Sequence, residues 1–143
     1  MSTESERELV AAELDRHADE EAKILKQYRA LAEQLADGPM GILIDHILTE
    51  EELHHFLLMS LAKWLREPPA EDAGPQGELR ENLLQRTRQL QEHERETIDA
   101  CNTLKSQLPG EDRELLGTLL DAMALDSEKH HRLLAAVARM MGA

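Results

Sequence analysis

The chain reads as an all-α protein, a four-helix bundle made of two helical hairpins joined by a crossover linker, and three observations predict it. The helix formers Leu, Ala, Glu, Arg, Lys and Gln dominate its 143 residues. Gly and Pro gather at a few places instead of being scattered. Between those breaks, apolar residues recur at alternating steps of three and four, the period of a helix that buries one face.

The first helix is expected over residues 6–36 and stops at Asp37-Gly38. The second starts at Pro39, where the fixed φ of proline suits a first turn, and runs over 39–66. Residues 67–77, Glu-Pro-Pro-Ala-Glu-Asp-Ala-Gly-Pro-Gln-Gly, cannot be helical throughout and form a linker. A third helix is expected over 78–108, Pro109-Gly110 breaks it, and a fourth covers 111–141. The two hairpins, 6–66 and 78–141, thus belong to a single domain spanning 1–143, a length suited to one hydrophobic core.

Heptad spacing selects the buried faces. Leu14, His17, Glu21, Ile24, Tyr28, Leu31 and Leu35 form the seam of the first helix. Leu83, Thr87, Leu90, Glu94, Thr97, Cys101, Leu104 and Leu108 form that of the third. Leu48, Glu52, His55, Met59 and Ala62 continue it on the second, and Ala124, Glu128, His131, Ala135 and Ala138 on the fourth.

Composition narrows the function. A formal charge of −13 argues against a nucleic-acid partner, which would require clustered Lys and Arg. The lone Cys101 excludes an intramolecular disulfide framework and a Cys-rich zinc or rubredoxin-type site. The N-terminal Met-Ser-Thr-Glu-Ser-Glu-Arg has no apolar core of a signal peptide, and no run of 18 apolar residues could span a bilayer. The expectation is a cytoplasmic protein with no membrane partner.

The halves also repeat a motif. Glu52-Leu-His-His55 is answered by Glu128-Lys-His-His131. Aligning them brings Ala-Glu-Gln-Leu, ending at Leu35, over Lys-Ser-Gln-Leu, ending at Leu108, and Glu21 over Glu94. The register costs three extra residues in the second interhelical loop. Glu51 with His54 is a further Glu-x-x-His pair, but the register selects Glu52/His55. Four mid-helix carboxylates and two imidazoles, with no Lys or Arg in the seams to neutralise them, call for a cationic partner, since buried carboxylates otherwise pair, protonate or bind metal. In Glu-x-x-His both side chains share a helix face and can grip one ion. Mixed oxygen and nitrogen donors suit iron or manganese, with zinc admissible by affinity.

This pattern resembles the ferritin-like superfamily of di-iron carboxylate proteins, which includes ferritins, bacterioferritins and rubrerythrins, over nearly the whole chain. The resemblance implies metal ligands Glu21, Glu52, His55, Glu94, Glu128 and His131, with Glu52 and Glu128 bridging. It implies two iron ions that oxidise ferrous iron with dioxygen or peroxide, as a ferroxidase or a peroxide-reducing enzyme. Glu51 fits the acidic residue that often precedes the motif glutamate and supports a ligating histidine, whereas Ser127 departs from it. The topology is compatible. Parallel second and third helices, each roughly 45 Å long, need a linker that traverses the bundle, and 11 to 13 residues reach roughly 36–47 Å.

Other residues admit several roles. His17 lies one turn before Glu21, as an extra ligand, a supporting donor or a polar cap on the core, and His17-x-x-x-Glu21 and His46-x-x-x-Glu50 bear a weaker resemblance to hemerythrin-like proteins. That family would need a His-x-x-x-His pair on the third helix, which has only His93. His54 and His130 point about 100° away from their ligand neighbours, toward a helix interface or solvent. Tyr28 and Cys101 are equivalent in the repeat and read as core packing, with a redox role as the alternative. Leu53, Leu57, Leu61 and Trp64 make an apolar outer stripe, which predicts a homodimer. Ferritin-type storage fits less well, because no short fifth helix is evident. From another class, a non-catalytic helical interaction protein, with a structural metal or none, uses the same scaffold.

Overall fold

The computed structural model describes residues 2–70, 74–111 and 113–143. Among these there are four helices and no strand: α1 (Thr3–Gln34), α2 (Pro39–Arg66), α3 (Gly77–Ser106) and α4 (Arg113–Met140). The all-α class and the helix count match the expectation, and each boundary falls within about three residues of its place. Residues 71–73 of the expected linker and residue 112 at the start of the fourth helix lie outside the described residues. The chain divides into two compact units, Met1–Glu71, where α1 packs on α2, and Asp72–Ala143, where α3 packs on α4. No helix among the described residues is long and apolar enough to cross a membrane.

In the first hairpin, α1 begins earlier than residue 6 because Ser2 caps it, its Oγ accepting from the Ser5 amide at 3.2 Å. Glu4 and Glu6 in that turn complement the helix dipole. The deepest α1 positions are Ala11, Ala18, Leu25 and Ala32, strictly seven residues apart. Three alanines in that row let the helices approach closely, which explains why small Gly41 and Ala62 are the buried residues of α2. Around them Ile44, Leu48, Glu51, His55, Leu58 and Leu65 are half-buried, again at steps of four and three. Gly41 seats the turn, since a Cβ there would lie far inside van der Waals contact with the Leu35 carbonyl oxygen. Arg66 closes the open end, donating to Glu8 at 3.0 Å and to Asp15 at 2.6 Å, and Arg7 Nε donates to the Leu65 carbonyl at 3.0 Å.

The second hairpin buries Leu84, Thr87 and Cys101 of α3 against Gly117 and Ser127 of α4. Thr87 satisfies its hydroxyl on the Leu83 carbonyl at 2.8 Å. On α4, Leu120, Ala124, His131, Leu134 and Ala138 complete the seam. Its C-terminus is a Schellman-type stop in which Gly142 takes φ 87 and the Ala143 amide donates to the Ala138 carbonyl at 3.0 Å. Arg80 clasps that end, Nε donating to the Met141 carbonyl at 2.7 Å and Nη2 to the Gly142 carbonyl at 3.1 Å. The register that pairs Glu21 with Glu94 also pairs Arg7 with Arg80, and the one that pairs His55 with His131 pairs Leu65 with Met141. The two arginine-to-carbonyl clasps therefore occupy matching places.

Candidate functional site

Glu21 sits mid-way along α1, half-buried against α2, and its Oε1 is sealed from solvent without a hydrogen-bond partner. The residue across from it is Glu51, whose side chain keeps only 23% of its exposure. Two facing carboxylates repel when both are ionised and bond when one proton lies between them. Glu21 is accordingly pushed above the usual carboxylate range, first by the hydrogen bond to Glu51, then by burial and by the Glu51 charge. His54 pulls in the opposite direction, and its Nδ1 lies 3.8 Å from Glu51 Oε2. Oε1 has no donor while both acids are ionised, and a shared proton satisfies the pair.

The second hairpin has a related arrangement with different chemistry. Glu94, only 17% exposed, presents Oε1 to His130 Nδ1 at 3.6 Å. The two line a pocket of about 300 Å³ with Leu90, Leu133 and Leu134. The residue matching Glu51 is Ser127, 5% exposed, so no second carboxylate stands at that place.

Glu52 and Glu128 lie elsewhere on their helices. Glu52 is half-exposed with Oε1 3.7 Å from Arg29 Nε, and Glu128 is half-exposed with Oε1 3.1 Å from Arg132 Nη2. In the first hairpin the seam passes through Glu51 and Leu58 instead of Glu52 and Met59, which is 53% exposed for that reason. In the second, Ser127 is buried and Glu128 exposed, while Leu134 and Ala135 are both half-buried. His55 and His131 are half-buried in these seams. His17 is held between Glu13 and Glu20, at 3.3 and 3.8 Å, and caps the α1 surface beside Glu21. Tyr28 is half-buried and Cys101 buried, as core packing requires.

Glu51 is the neighbour of Glu21 on α2 and His130 the neighbour of Glu94 on α4, positions adjacent to those that the repeat alignment selects. A one-residue shift turns a side chain by about 100°, and two registers through α2 both alternate steps of four and three. The signal that separates them is apolar content: Ile44, Leu48, Leu58, Ala62 and Leu65 share a row with Glu51, whereas Glu52 shares its row with Asp45 and Lys63.

Glu21, Glu51 and His54 are of the donor types that bind iron, manganese or zinc, but their ligand atoms do not converge within the spacing that one ion's ligands require. Comparison with known proteins finds no family model, no curated protein and no solved structure that matches the chain.

Proposed function

We propose that the chain is a non-haem di-iron, or di-manganese, carboxylate protein of the ferritin-like type. The observation that carries this reading is the half-buried carboxylate at mid-helix in both hairpins, Glu21 with an orphaned oxygen and Glu94 beside an imidazole. A protein keeps such groups off the surface when a cation offsets their charge. Glu21 and Glu94 are joined by carboxylate and imidazole donors from residues 51–55 and 127–131, and the resemblance implies Glu52, His55, Glu128 and His131 for these roles.

Two bound irons would deliver electrons to dioxygen or peroxide, which makes the activity that of a ferroxidase or peroxide reductase. The protein's own part is distinct. A cation bound at Glu21 would offset the repulsion from Glu51 that, with burial, pushes the Glu21 carboxyl above its ordinary range. Leu90, Leu133 and Leu134 line an open apolar pocket beside the Glu94–His130 pair. On α2, Leu53, Leu57, Leu61 and Trp64 remain 44–58% exposed, which supports a homodimer.

Metal analysis tests the reading on tag-free protein loaded anaerobically with ferrous iron. About two irons per chain, with ferrous oxidation and oxygen consumption on exposure to air, is the expected result. Glu21→Ala combined with Glu94→Ala should abolish uptake. Wild-type protein that retains its helices and takes up no metal would overturn it, and light scattering decides between monomer and dimer.

A further inference from the structure

We propose that a second copy of this chain docks on the outer face of α2 in an antiparallel two-fold contact, with Phe56 of each copy meeting Trp64 of the other across Ser60, and that assembly stops at two copies. The inference rests on the homodimer reading of the α2 stripe and gives that contact its centre, its geometry and its limit.

Three observations carry it. Phe56 and Trp64 are the chain's only phenylalanine and only tryptophan, and both stand on the side of α2 away from its buried row, 64% and 58% exposed. Aromatic side chains are enriched at interfaces and act there as anchors. The stripe also has a small residue at its middle. Leu53, Phe56, Leu57 and Trp64 surround half-buried Ser60 on one helical face, with Phe56 and Trp64 one turn to either side of it. An antiparallel copy crossing at Ser60 therefore sets aromatic against aromatic, which makes this face its own complement.

The second hairpin lacks the stripe. The alignment that pairs His55 with His131 puts Lys129 where Leu53 stands and Arg132 where Phe56 stands, both exposed and reaching Asp126 and Glu128. A helical hairpin of this shape thus has no need of apolar side chains at these places, and α4 does not repeat the docking face. A single isologous face closes with two copies. Its size is sufficient: Leu53, Phe56, Leu57, Leu61 and Trp64 leave on the order of 600 Å² open per chain, and pairing two copies removes about 1,200 Å², where stable interfaces begin.

Sedimentation velocity of the full chain over a dilution series, with Trp64 emission read alongside, tests the contact. The wild type is expected at twice its 16.2 kDa, with emission that shifts to the red as dilution separates the copies. Leu53→Lys combined with Phe56→Arg transplants the residues of α4, so the helix signal should persist while dimerisation weakens at least about a hundredfold, each lost anchor occurring twice in the contact. Ser60→Cys should oxidise to a disulfide-linked dimer, and Ser106→Cys, exposed on α3, should not. Between copies of charge −13 an apolar contact should hold or tighten as salt rises.

A wild type that stays monomeric overturns the inference, whether Trp64 is in solvent or covered by its own chain, and so does an assembly larger than two. A dimer that survives the double substitution, dissociates in salt or fails to cross-link through Ser60→Cys places the contact elsewhere and overturns it as well. The two proposals fail separately. A monomer that takes up and oxidises two irons per chain leaves the di-iron reading standing and this contact refuted. A dimer broken by Leu53→Lys with Phe56→Arg, in a protein that takes up no metal, does the reverse.

Discussion

The first hairpin sets a second carboxylate beside its mid-helix glutamate, and the second does not. Glu21 has Glu51 as its neighbour, while the place matching Glu51 in the other hairpin holds the buried Ser127 and Glu94 has His130 beside it at 3.6 Å. The backbone scaffold is otherwise parallel, down to Arg7 and Arg80 clasping the carbonyls of Leu65 and Met141. Packing compensates elsewhere. Ala11 fills the first hairpin where Leu84 fills the second, and Leu14 stands where Thr87 does. The difference teaches that one helical-hairpin geometry tolerates unequal charge at its centre, and that the first hairpin carries a liability which a proton or a cation must relieve.

The largest effect expected from this comparison is at the glycines. Gly41 and Gly117 occupy matching positions, but a Cβ at Gly41 would collide with the Leu35 backbone, whereas at Gly117 its nearest neighbour is Leu108 Cδ1 at 3.9 Å. Gly41→Ala should cost about 3 kcal/mol, as a forced backbone shift does. Gly117→Ala should be neutral or stabilise by up to about 1 kcal/mol through helix propensity. Urea midpoints of the two variants check this, and equal midpoints would break the contrast.

Next come the two largest deeply buried aliphatic side chains. Leu25 and Leu84, each 3% exposed, anchor different hairpins. Either Leu→Ala change should cost about 2–4 kcal/mol. Following the transition with probes placed in each unit tests whether both respond to each substitution. A loss under 1 kcal/mol in either variant would show that the leucine is not a core anchor.

The helices were legible because their punctuation is strong: Asp37-Gly38-Pro39 and Pro109-Gly110 leave little freedom in where the helices end. Glu21 and Glu94 were legible as mid-helix carboxylates in apolar rows, and both are largely covered. The deepest rows were not. Ala11, Ala18 and Ala32 carry little apolar signal, so a search for large side chains settled on the flanking Leu14, Tyr28 and Leu35, which are half-buried. Leu90 and Leu104 in the third helix were likewise taken into the seam and remain 52% and 50% exposed, one position away from it. The placement of Glu51 beside Glu21 was not legible for the same reason, because alignment of the repeat fixes which residues correspond but not which face they occupy.

A smaller effect isolates the carboxylate pair itself. The folded-state pKa of Glu21 is raised above its ordinary value of 4.5, so the native state prefers the protonated acid. The associated stability is fully present below that ordinary value and is lost as pH rises through the raised one. In the presence of a chelator the wild type should therefore gain stability on mild acidification from neutral pH. Glu21→Gln should flatten that dependence and be more stable at pH 7 by about 0.5–1 kcal/mol, the range left after solvent screening of a partly exposed pair. Thermal melts from pH 7 down to the carboxylate range decide it, and a wild type that only loses stability over that interval would remove the proposed repulsion. Glu94→Gln is the control, since its neighbour is an imidazole and relief of carboxylate repulsion is not expected there.

The smallest effects distinguish how the two hairpins close their open ends. Arg66 grips Glu8 and Asp15, and its guanidinium in turn holds the Glu8 carboxyl below the usual carboxylate range. Arg80 pairs with its exposed neighbour Glu81 at 2.7 Å, but its grip on the end of α4 is made by donating to two backbone carbonyls. Charge pairs at an exposed surface are screened by salt, while hydrogen bonds to carbonyls respond far less. Arg66→Ala should therefore destabilise the protein at low ionic strength and lose most of that effect in 1 M salt, on the order of a 3 Å screening length. Arg80→Ala should cost about 1 kcal/mol at either ionic strength, the net worth of its backbone bonds. Denaturation in urea, which is uncharged, allows both salt conditions to be compared directly. Equal salt dependence in the two variants would mean that the first clasp works through packing of its arginine stem and not through its ion pairs.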